Sequence, residues 1–254
     1  MAGENWARQI VEKALNVPTV INDDGRAPSM YDLRIGPTHA PQVAIECFRS
    51  VDEAFMETWN MGPARGPLHL SLQNNWIVEV STKARIKKFK LHIEPILQEL
   101  ENRGIYNLLV DHHLKWQDAT LFGKLASLDV THAVCYEVPG TGKVELGLPG
   151  IGGAVDEQGR AVPDWISDLL RDQKYEDVLR KLERSGALEK HAFVFVGFAG
   201  APFEVEGYLA RDINHAPTQS PDLPRPVTGV WIISEAGQRG LRWDGNTWLL
   251  FDGY

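Results

Sequence analysis

The sequence predicts an α/β (α+β) protein with a mixed central sheet flanked by helices. Short apolar or alternating runs at 30–35, 43–48, 105–110, 131–138, 191–198 and 228–234 read as strands. Amphipathic stretches at 4–16, 83–104, 116–128 and 163–186 read as helices. The two kinds alternate, which calls for a sheet with helices packed against it rather than a bundle or a sandwich. With 254 residues, 43% of them hydrophobic, the chain has material for a large core.

The helix over 4–16 rests on Trp6, Ile10 and Ala14 at helical spacing. Two strands, 30–35 and 43–48, follow around the polar loop 36–42, and 68–80 reads as a third with Trp76, Val78 and Val80 on one side. The helix 83–104 turns Ile86, Phe89, Ile93, Ile96, Leu97 and Leu100 inward, with a kink expected at Pro95 and a stop at Gly104. A buried strand (105–110), a helix (116–128) and another strand (131–138) come next. The glycine-rich stretch 140–153 marks a junction. Beyond it lie the helix 163–186, the buried strand 191–198, a proline-rich loop at 216–226, the strand 228–234 and a hairpin over 239–251 turned by Asp244-Gly245-Asn246. The expected organisation is a core over 1–139 and an α/β C-terminal region, 154–254, packing on or extending the same sheet.

No run of eighteen apolar residues exists, and the N-terminus lacks the apolar segment of a signal peptide, so neither a membrane partner nor export is expected. Cys47 and Cys135 both sit in apolar runs and read as free thiols of a cytoplasmic protein. A net charge of −8 argues against coating nucleic acid by bulk electrostatics, while a local basic patch remains available for that partner.

Each strand around the loop 36–42 carries one acid, Asp32 and Glu46, where strand propensity and burial disfavour it. A symmetric hairpin centred on His39 sets Ile35 opposite Val43, Leu33 opposite Ile45, and Asp32 opposite Glu46. Tyr31, Leu33, Ile35, Val43, Ile45 and Cys47 then share one face, and Met30, Asp32, Arg34, Ala44, Glu46 and Phe48 the other. Opposed Cβ atoms lie roughly 4.5–5.5 Å apart. Two carboxylates so close repel unless a cation lies between them. Mg²⁺ or Mn²⁺ would serve, held by Asp32 and Glu46; a structural ion cluster bridged by Arg34 is the alternative.

This run of a helix with a glutamate, a strand with an aspartate and a strand with "AIE" resembles the PD-(D/E)xK restriction-endonuclease-like nucleases over about residues 4–138. The resemblance implies a restriction-endonuclease-like core and metal-dependent phosphodiester hydrolysis of nucleic acid. It would make Asp32 and Glu46 the strand acids and Glu12, or less favourably Glu4, the helix acid. The family's lysine position is Phe48 here, so the candidates to replace it are Arg34, which can stabilise charge but cannot act as a base, and Lys83 or Lys87 at the start of the following helix. A catalytically inactive member acting as a binding or regulatory module is the alternative. "KARIKKFK" (83–90) packs five cations into eight residues. Lys83, Arg85, Lys87 and Lys88 are therefore candidate phosphate contacts, although a solvated helix face is the simpler explanation of such a run.

Asp111-His112-His113 resembles the central motif of the DHH phosphoesterases and supports a weaker alternative. The adjacent aspartates of "INDDG" (21–25) do not supply the Asp-x-Asp which that family needs. The glycine-rich stretch lacks a P-loop signature and reads as a loop.

Overall fold

Strand 43–48 finds its second neighbour at residues 189–196, not in the strand that follows it. The computed structural model describes residues 2–23, 30–148, 155–211 and 213–253. It divides into two compact units, residues 1–51 with 153–254, and residues 52–152. The first unit opens with α1 (Ala2–Leu15), β1 (Val20–Ile21), β2 (Leu33–Ile35) and β3 (Val43–Ser50). The second contains α2 (Glu53–Met61), β4 (Leu68–His69), β5 (Asn75–Val80), α3 (Ile86–Asn102), β6 (Asn107–Leu109), α4 (His112–Gln117), α5 (Ala119–Ala126), β7 (Val130–Glu137) and β8 (Lys143–Gly147). The chain then returns to the first unit with α6 (Val162–Arg171), α7 (Glu176–Arg184), β9 (Glu189–Val196), α8 (Phe203–Leu209), β10 (Gly229–Ser234), β11 (Arg239–Trp243) and β12 (Trp248–Asp252).

The seven strands of the first unit run in the order β1-β2-β3-β9-β10-β11-β12, with β3, β9 and β10 parallel and the other pairs antiparallel. A parallel centre must be covered on both faces, and the sequence of β9 obeys this, since Ala192 to Val196 are all buried. On one face Ala44, Val194 and Ile232 cluster with Ile166 and Leu170 of α6, Val178 and Leu182 of α7, and Val205 of α8. On the other, Leu33, Ile45, Phe193 and Trp231 cluster with Ala7, Ile10 and Val11 of α1. The C-terminal strands thus extend the sheet that carries Asp32 and Glu46.

The second unit has its own sheet, β4-β8-β5-β7-β6. Trp76, Val78 and Val80 of β5 are fully buried, and the Trp76 indole N–H donates to Glu101 Oε1 of α3 at 3.2 Å. All six apolar residues expected to turn inward on α3 are buried, and the helix runs on through Pro95.

Several expectations need correction. The predicted boundary between 1–139 and 154–254 gives way to cuts near 51 and 152, because the eight-residue parallel pairing of β3 with β9 ties the early hairpin to the late strands. The strands of residues 4–138 therefore do not share one sheet: β5, β6 and β7 belong to the sheet of the second unit. The strand 68–80 is two strands, and 105–110 is a short, largely exposed edge. The helix 163–186 breaks at Asp172, whose carboxylate accepts the Lys174 N–H and starts a single 3₁₀ turn, Gln173–Tyr175. The helix 116–128 breaks at Asp118, which caps α5 by accepting from Leu121 N. Asp52 caps the unexpected α2 in the same way, and the glycine-rich stretch contains β8. The expected hairpin 239–251 is present as β11–β12, and Asp244 Oδ1 accepts the N–H groups of Asn246 and Thr247. Residues 24–25 of the paired-aspartate segment, 28–29 before the first strand and 149–153 of the glycine-rich stretch lie outside the described residues. Among the described residues no helix is long and apolar enough to cross a membrane.

Candidate functional site

The β2–β3 hairpin has the register its sequence predicts: Leu33 pairs with Ile45, Arg34 with Ala44 and Ile35 with Val43. Gly36 makes this turn possible at φ +92°, where the chain reverses and Gln42 N–H donates to Ile35 O at 2.9 Å. One step beyond the last pair the same register sets Asp32 against Glu46. Both acids are buried, at 7% and 4% exposure. The strand loosens there, and Tyr31 packs with Ala44 and Val194 instead of sharing the Leu33 face as expected.

Asp32 Oδ2 accepts the backbone N–H of Cys47 at 2.6 Å, so the acid takes over a strand donor where β2 has ended. Glu46 Oε1 accepts from Lys181 Nζ of α7 at 2.6 Å, and Glu46 Oε2 is buried without a hydrogen bond. Lys181 also lies 3.8 Å from Asp177 Oδ2, one turn earlier on α7. Val178 and Leu182, on the same helix, are buried in the adjoining core. The helix that seals this face of the sheet thereby delivers the ammonium to Glu46.

Burial pushes the Glu46 carboxyl up to about 8; the neighbouring Asp32 charge adds to this, and Lys181 opposes it. Asp32 is raised to about 6, again first by burial, with Glu4 and Asp23 adding and the Cys47 N–H and Lys181 opposing. The Lys181 ammonium is itself favoured: burial works against it, but the bond and charge of Glu46 prevail. One ammonium cannot neutralise two buried carboxylates, so near neutral pH this cluster retains a proton. Burial, with the two acid charges behind it, holds the Cys47 thiol well above its ordinary range, which leaves it no thiolate nucleophile.

The hairpin therefore brings Asp32 and Glu46 together, but the other expected members are placed differently. Arg34 Nη1 donates to Gly36 O at 2.9 Å and its Nε is buried without a partner; the cation on the acids is Lys181. Glu12 is engaged locally, binding Arg8 at 2.8 Å and the Thr19 N–H at 3.0 Å, which ties the end of α1 to the chain entering β1. The α1 acid whose charge reaches Asp32 is Glu4. Phe48, at the position where the resemblance would call for a lysine, has its ring 4.6 Å from that of Tyr175. Lys83, Arg85, Lys87 and Lys88 belong to the second unit, at the start of α3, and their side chains are exposed. Asp111 is an N-cap: its Oδ1 accepts from His113 N and Leu114 N, while the His113 ring bonds to Gln117. The Asp-His-His segment is thus the start of a helix.

Lys181 is the functional candidate that sequence reasoning missed. It lies 135 residues from Glu46, and its only local signal is the Asp177–Lys181 pair at helical i,i+4 spacing beside the buried Leu182. Among the described residues no group of three histidine, cysteine or acid side chains is arranged to hold a metal ion. Two carboxylates are the donors that a hard cation would use, and Glu46 Oε2, buried without a hydrogen bond, is the atom left to meet one. No protein-family model, no curated protein and no solved structure matches this chain.

Proposed function

We propose that the first unit is a nuclease-like hydrolase that cleaves phosphodiester bonds of nucleic acid with Mg²⁺ or Mn²⁺, as the resemblance to the PD-(D/E)xK enzymes implies. The observation that carries this reading is the buried pair Asp32 and Glu46 at the open end of the β2–β3 ladder, with Glu46 Oε2 unpartnered and Lys181 on Glu46 Oε1. Asp32 and Glu46 would hold the cation. Such a cation polarises the phosphate and lowers the pKa of a water it binds. Lys181 fixes the orientation of Glu46 and places a positive charge where a phosphate oxygen gains negative charge during attack. It takes the part for which Phe48 has no chemistry. Asp177 steadies the ammonium from one turn away.

The test is metal-dependent cleavage of end-labelled single- and double-stranded DNA and RNA. Glu46→Gln and Lys181→Met should each lower the rate by roughly 10²-fold or more. A parent protein without metal-dependent cleavage would remove catalysis from this reading.

A second reading, an inactive module of the same build, is favoured by the Lys181 ammonium itself, which already compensates one of the acids, and by the Phe48–Tyr175 contact in the lysine position. It differs in one measurable respect: the acids would then show no response to divalent metal.

A further inference from the structure

The second unit carries a surface that the catalytic reading does not use. Along α3, Arg85, Lys88, His92 and Ile96 recur every three or four residues and so lie on one side of the helix. Between that side and the end of α5 the surface sinks into a groove of about 370 Å³, lined by Lys88, His92, Pro95, Ile96, Lys124 and Leu128. This volume lies within the range of ligand pockets, ~300–1,000 Å³. The lining has two parts. Lys88 and Lys124 bring ammonium groups, while Pro95, Ile96 and Leu128 form an apolar floor.

The charge here is concentrated. Residues 83–92 hold five lysines and arginines and no acid, in a chain of net charge −8. Lys83, Arg85 and Lys87 flank the first turn of α3, where the helix dipole disfavours cations. Lys88 Nζ donates to the neutral Ser127 O at 2.7 Å and keeps its charge at the groove, while Lys124 Nζ pairs with Glu99 at 2.6 Å, so a phosphate there competes with that carboxylate.

We propose that this groove binds single-stranded nucleic acid, with Lys88 and Lys124 on the phosphodiester backbone and a base or sugar on the apolar floor. Charge complementarity selects a polyanion. The apolar floor selects an unpaired strand, because a duplex presents phosphate and sugar outward and keeps its bases stacked inside. The inference does not rest on catalysis by Asp32 and Glu46, and it holds for an inactive protein as well.

The experiment is fluorescence anisotropy of the full chain with a labelled single strand of about 15 nucleotides, near the upper site size of one binding fold. EDTA is present throughout, so loss of the hydrolase reading leaves this test unaffected. The expected result is salt-sensitive binding that weakens at least 10-fold in Lys88→Gln/Lys124→Gln, with the salt slope reduced by about 1.4 for two lost phosphate contacts. Lys13→Gln, in the first unit, should change neither. Should the double variant not fold, acetylation footprinting of the parent replaces it, and the strand should protect Lys88 and Lys124 but not Lys13. Absence of binding, unchanged binding by the folded double variant, or no protection of Lys88 and Lys124 would overturn the proposal. A duplex of equal length bound as tightly through these lysines would overturn the single-strand assignment, and a free mononucleotide bound as tightly as the strand would overturn the assignment to a strand.

Discussion

The two units use charge in opposite ways. In the first, Asp32 and Glu46 are buried and answered by one lysine, so each carboxyl is raised and the cluster holds its charge at a cost to the fold. In the second, the cations around the start of α3 stand at the surface, where water and salt screen them and the fold depends little on them. The difference teaches where to look for chemistry. A charge kept despite desolvation needs a reason beyond stability, whereas an exposed charge acquires its meaning from what it meets.

The largest way to break this contrast is to remove the lysine. Lys181→Met leaves the Asp32–Glu46 pair without its cation, and urea unfolding at pH 8 should show a loss of about 3 kcal/mol. At pH 5 the loss should shrink to about 1 kcal/mol, because acids with raised pKa take up protons in place of the missing cation. Equal losses at both pH values would mean that Lys181 acts by packing alone.

The parent protein should carry the same signature more weakly. Both acids have folded-state pKa values above their unfolded ones, so the native state binds more protons than the unfolded state through neutral pH. Their contribution is most favourable below the unfolded carboxyl pKa and is lost as pH rises through about 6 and then about 8. Stability should therefore fall by ~2 kcal/mol or more between pH 5 and 9, and Glu46→Gln should flatten that slope. A rise in stability over this interval would contradict the electrostatics of the cluster.

Phe48→Ala should cost about 1.5 kcal/mol through lost contact with Tyr175, with little dependence on pH. In the second unit Lys87→Gln should change stability by less than about 0.5 kcal/mol across the same pH range. A larger effect there would erase the contrast between the units.

What the sequence made legible was local. The hairpin register followed from alternation on either side of His39 and was correct for all three pairs of the β2–β3 ladder. The inward face of α3 followed from helical periodicity. Partner choice was not legible, because periodicity says which face of a strand is apolar and nothing about which strand lies beside it. Hence alternation does not reveal that β5, β6 and β7 form a separate sheet or that β3 pairs in parallel with β9. The candidate site divides the same way. Asp32 and Glu46 were readable because thirteen residues of hairpin hold them opposite each other. Lys181 and Glu4 reach the acids from helices, and only the assembled sheet brings these helices close. Glu12, the helix acid that the resemblance implies, is taken up by Arg8 and the Thr19 N–H.

The most direct test of the central claim is a titration of chelator-treated protein with Mn²⁺, read as thermal or urea stability of the parent and of Glu46→Gln. If Asp32 and Glu46 hold the catalytic cation, the parent gains stability with concentration, about 2.7 kcal/mol at a hundredfold excess over Kd. Glu46→Gln should lose that gain and should be more stable than the parent in chelator above pH 7, because one buried carboxylate no longer has to ionise beside Asp32. A parent indifferent to Mn²⁺, together with a destabilised Glu46→Gln, would contradict the account and leave Asp32, Glu46 and Lys181 as a structural ion cluster.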